Sequence, residues 1–224
     1  MAINTSLASL SETLWAGATG TYMLAVVGYT GEYAFGRRGR IARTASVAAP
    51  VVEPALAGVG GPGSTATRLP DAPAEPADSS IPAADGGRRW GRFAVALTVL
   101  GALLHLTSVA IRGIAVDRVP WGNMYEFTLV VGLVATLAWL VTIARMPQLR
   151  YLGLFVMMPV LLVMFLAGTL YTKATKLVPA LQSYWLAIHV SSIATAEGIL
   201  LTSAAITAMY LIRARYEKRS VTGT

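Results

Sequence analysis

Residues 93–116 read FAVALTVLGALLHLTSVAIRGIAV, a run of 24 positions whose only full charge, Arg112, stands four residues from its end. As a helix such a run is about 36 Å long, enough to cross the ~30 Å of hydrocarbon in a bilayer. Three more blocks of this kind follow, at 123–144, 151–171 and 185–212, and none holds an internal charge cluster. Pro159 sits inside the second of these, the fourth span of the chain, and is expected to kink it, which neighbouring helices accommodate. An apolar stretch at 14–35 precedes them all, with only Glu12 charged before it. A secretory signal needs a basic leading region and a small-residue cleavage site, so this stretch reads as a retained span. The fold expected is all-α and polytopic, with about five transmembrane helices.

Composition agrees. Of 224 residues 55% are hydrophobic and 13% charged, and the mean hydropathy is +0.59. There is no cysteine, so this chain carries no disulfide framework, no thiolate metal site and no thiol relay of its own. The formal charge is +7, but the basic residues border apolar spans instead of lining one soluble face. They read as topology signals, with the lipid bilayer as partner and no nucleic acid.

The span of residues 1–35 ends in GRRGR at 36–40. Residues 36–92 form a basic linker, rich in Ala, Pro and Gly from 44 to 87, which has too little apolar surface to offset its ordering entropy. A four-span core then occupies 93–212, and 213–224 is a basic tail. Of the 18 Lys and Arg, the linker, the 145–150 turn and the tail hold eight, two and four. This asymmetry puts the amino terminus outside and the carboxy terminus in the cytoplasm. The loops at 117–122 and 172–184 then face outward.

Few side chains can carry chemistry. Asn123 and Glu126 have the spacing of a helix amino-terminal cap with a reciprocal acidic partner. The functional alternative is that Glu126 fixes Arg112 or Arg118, or orients a bound group; the spacing favours the cap and leaves these open. His105 shares a helical face with Gly101 and Ser108, a close-packing face, so a hydrogen-bonded packing role stands beside a ligand or relay role. His189 lies four residues after Trp185, on the same face just below the membrane surface. Neutral imidazole there suits either interfacial hydrogen bonding or an axial bond to haem iron. Glu197 is about 12 Å deeper and rotated some 80° from His189, and is expected to face another helix or a polar cavity. No phosphate loop, metal-spaced pair or nucleophile triad is present in the sequence.

Three segments, VPWGNMYEF (119–127), LAGTLY (166–171) and LVPALQSYWLAIHVSS (177–192), resemble the CcsA/ResC-type proteins of system II cytochrome c biogenesis. The opening span with its basic exit resembles the actinobacterial members. The resemblance covers nearly everything outside 44–87. It implies that His189, in the WLxxHV context, is an axial ligand to haem b presented at the outer face, with Trp185, Trp121 and Glu126 shaping the site. It implies a CcsB/ResB-type membrane protein and apocytochrome c as partners, a place in the cell membrane, and a share in a cytochrome c haem lyase complex. In that family a tryptophan-rich loop and two more histidines follow the fifth span, whereas here the residues stop at Thr224. The expectation is therefore a chain truncated before the second axial ligand, binding haem weakly alone. A haem-independent membrane scaffold and a small transporter subunit are the rivals. The latter would want a polar midplane path, for which His105, Glu197 and Pro159 are the only material.

Overall fold

A computed structural model describes residues 4–35, 83–175 and 183–222. The linker segment 36–82 and the first part of the 177–192 motif, up to residue 182, lie outside these. Five helices account for nearly all of them: α1 (Thr5–Phe35), α2 (Ala83–Val116), α3 (Met124–Arg145), α4 (Gly153–Thr169) and α5 (Tyr184–Thr222). A 3-10 turn, Pro147–Leu152, leads into α4, and there is no strand among the described residues. The protein is an all-α, multi-pass membrane protein.

Among the described residues, four helical stretches are long and apolar enough to cross a bilayer: Gly87–Val116, Met124–Arg145, Pro147–Thr169 and Tyr184–Arg219. The opening helix is less apolar, and its depth is fixed by packing. Antiparallel to α2, it runs from Asn4, whose N–H donates to the Ala115 carbonyl, to Gly31, which faces the Trp90 ring. It therefore covers the same thickness as α2. Its hydroxyls at Ser11, Thr19, Thr21 and Thr30 each bond a carbonyl three or four residues back, so none needs water. Small residues allow the close approach: Gly28 lies against Ala94, and Gly101 against the Tyr22 ring.

Two boundaries move from those expected. α2 starts ten residues before 93, because Gly91 packs on the Glu32 side chain and Trp90 on Gly31, so the end of α1 holds these turns helical despite their glycines. Likewise α5 continues past 212, with Arg213 donating to Glu217 at 2.7 Å one turn on. The fourth helix passes through Pro159 as a single element.

α3 is central, packed by α2, α4 and α5. Trp139, Leu129 and Tyr125 on α3 and Met157, Val160 and Met164 on α4 make the core. Buried polar contacts set the register of α1 with α2 and α3. Ser108 donates to the Ser11 carbonyl at 2.6 Å, and Tyr22 Oη lies 3.4 Å from His105 Nδ1. Deeper, Thr98 and Trp139 both reach Tyr29 Oη at 3.3 Å. At the far end Arg150 closes on Glu32 at 2.6 Å. Tyr29→Phe, which removes the shared acceptor, should lower stability by about 1 kcal/mol in micellar unfolding.

Candidate functional site

The end of the bundle that carries the 117–123 loop is built on Glu126. Asn123 is extended (φ −145°, ψ 168°) and its Oδ1 accepts the Glu126 N–H at 2.9 Å, which caps α3. The reciprocal arm lands one residue early: Glu126 Oε2 accepts from the Gly122 N–H at 3.0 Å, not from Asn123. The same carboxylate takes Arg112 Nε at 3.2 Å and Arg118 Nη1 at 2.8 Å. Cap and cation clamp, two readings of one residue, are thus both realised.

Arg112 is wholly buried. It also donates to Glu12 at 3.4 Å and to the Thr172 carbonyl at 2.7 Å, and it stacks over the Tyr125 ring at 5.2 Å. Arg118 reaches the Thr175 carbonyl at 3.2 Å. Tyr171 donates to Glu12 at 2.6 Å, and this bond, with some burial and the carboxylate's charge, holds its phenol above the ordinary value. A raised phenol pKa means a neutral donor whose contribution is complete below the ordinary tyrosine value and fades as pH climbs past it. Two guanidinia and two carboxylates here join α1, α2, the 117–123 loop, α3 and the segment after α4. Every charge has a partner, as burial at a membrane edge requires.

Trp121 is half-buried in the same loop, one position before Gly122. His105 is buried on the α1 and α3 side of α2, edge-on to Tyr22 (centroids 6.0 Å apart) and against Gly132. α3 stands between it and α5, which α2 scarcely touches. The two histidines are therefore not brought together.

His189 and Trp185 lie on the first turns of α5, both exposed, with Tyr184 edge-on to Trp185 at 6.2 Å. Gly198 packs on Val134, so His189, nine residues earlier, stands near the depth of Glu126, eight residues before Val134. At that depth it points away from the ion cluster, and it forms no hydrogen bond or ion pair among the described residues. Neither do the described residues contain a group of three His, Asp or Glu able to hold a metal ion. As a haem site the donor set is one accessible imidazole beside one indole face, which fits a single axial position and one wall. Glu126 is already engaged by two arginines and a backbone amide, so its part at this end is to position the loop.

Glu12, Tyr171 and the Thr172 carbonyl were not legible as members of this cluster. Their only signal is that Glu12 precedes the first span and Arg112 ends the second, which antiparallel pairing places side by side. No family model, curated protein or solved structure matches the chain.

Proposed function

We propose that this membrane protein takes part in c-type cytochrome biogenesis by holding haem b at the outer face through His189. The observation that carries the reading is the exposed imidazole of His189, free of protein partners among the described residues and one turn from Trp185, within a motif resembling the CcsA/ResC type. His189 would supply one axial nitrogen and Trp185 one wall. The 117–123 loop, fixed by Glu126 and carrying Trp121, would shape the same end of the bundle, away from the face that carries His189. Haem, when bound, brings the vinyl groups that form thioether bonds; this chain, having no cysteine, contributes no thiol. Apocytochrome c supplies those thiols, and a CcsB/ResB-type partner the rest of the site, in the cell membrane. The chain's own work is to bind and orient.

Titrating haem into the purified chain tests this. His189→Ala should weaken binding at least tenfold and lower c-type cytochrome accumulation in cells, while Ser9→Ala, exposed on α1, leaves both unchanged. One imidazole also predicts weak binding and no stoichiometric six-coordinate spectrum from the isolated chain. Undiminished haem binding by a folded His189→Ala variant would leave the scaffold reading in its place.

A further inference from the structure

α5 is the least covered of the four apolar stretches: 11% of its most apolar part is buried, against 33%, 50% and 39% for the other three. Ala194, Gly198 and Thr202 make its contact stripe, Gly198 against Val134 and Thr202 donating to the Ala135 carbonyl at 2.9 Å. The opposite face carries His189, Ser192, Ala196, Leu200, Ser203 and Thr207, all exposed and at three- and four-residue spacing. Four of these six are small or hydroxylated, the composition that lets a second helix approach closely.

Beside that face stands Glu197, also exposed. Its depth is fixed by its neighbour: Gly198 meets Val134 and Ala135, the middle of the 22-residue α3. A carboxylate at mid-bilayer is costly to insert, so intramembrane carboxylates almost always face a polar group or a cation. No Lys or Arg of the described residues lies at that depth. Arg112, Arg118 and Arg150 are committed to Glu12, Glu126 and Glu32. A second copy of this chain offers no mid-depth cation among its described residues either, so self-pairing does not answer the charge.

We infer that the exposed face of α5 docks a transmembrane helix of a partner protein that presents a Lys or Arg at mid-bilayer depth to Glu197. The small side chains of Ala196, Ser203 and Thr207 admit the partner backbone, and Glu197 selects it. The demand exists whether or not His189 meets haem.

The test reconstitutes the full chain, labelled with a donor fluorophore, in phosphatidylcholine vesicles. Acceptor-labelled leucine-rich peptides of about 20 residues carry Lys, Arg or Leu at their centre. Lys and Arg peptides should bind roughly tenfold tighter than the Leu peptide. Glu197→Gln should reduce that preference to less than about twofold, and Ala196→Leu on the same face should weaken all three peptides. Both substitutions are on exposed positions, so helix content and thermal midpoint check that the fold is kept. Equal binding of Lys and Leu peptides, a Lys preference that survives Glu197→Gln, or Glu197-dependent self-association without peptide would each overturn the assignment.

Discussion

Glu126→Ala should destabilise the protein by about 3–5 kcal/mol, read as unfolding in mixed micelles, because it removes the carboxylate that two guanidinia share, leaving Arg118 with no acid and Arg112 with Glu12 alone among the described residues. The Arg112 side chain is 1% exposed and that of Arg118 14%, so water reaches neither well enough to replace the carboxylate. Removing the acid also frees the Gly122 amide, so loop, cap and cations lose one acceptor together. Graded variants separate these contributions. Glu126→Gln keeps the volume and one acceptor but not the charge, and should lie close to Glu126→Ala, because the lost charge dominates. Arg118→Ala should cost only about 1–3 kcal/mol, since Arg112 still neutralises the carboxylate. A loss below about 1 kcal/mol for Glu126→Ala would mean that solvent or lipid headgroups already satisfy both arginines.

What was legible depended on whether the signal was local. The four later spans could be read because hydropathy integrates over twenty adjacent residues, and the Asn123 cap because its donor is three residues away. Glu126 was legible as a choice between cap and clamp, not as both, since the clamp needs Arg112 from a different helix at the right depth. The pairing of Glu32 with Arg150, 118 positions apart, left no mark at all. The start of α2 was hidden for a related reason: Gly86, Gly87 and Gly91 argue locally for linker, and the packing of Trp90 and Gly91 on the end of α1 leaves no local mark. His189 could be placed near the surface from its spacing to Trp185. Its direction, away from the bundle, depends on which face of α5 carries Gly198, and nothing near His189 reveals that.

α5 joins the bundle differently from the other helices, and the difference is measurable. An ideal Cβ at Gly198 would lie 2.6 Å from Val134 Cβ and 2.9 Å from the Ala135 backbone nitrogen, which cannot rotate aside. Gly198→Leu should therefore push α5 off α3, break the Thr202 bond to the Ala135 carbonyl and cost about 1–3 kcal/mol. Gly198→Ala already adds the offending atom and should show a smaller loss, with Thr202→Val at about 0.6–1.7 kcal/mol. The pattern of unfolding is the sharper readout. None of the ion pairs joining α1, α2, α3 and the flanking loops involves α5, so Gly198→Leu should release α5 first, with rapid hydrogen exchange along it while the α1–α4 body stays protected. Glu126→Ala should do the reverse and loosen the α1–α4 body as one unit. If Gly198→Leu instead unfolds everything in a single step, α5 is integral to the core, and its outward face is then held far more rigidly than its single contact stripe implies.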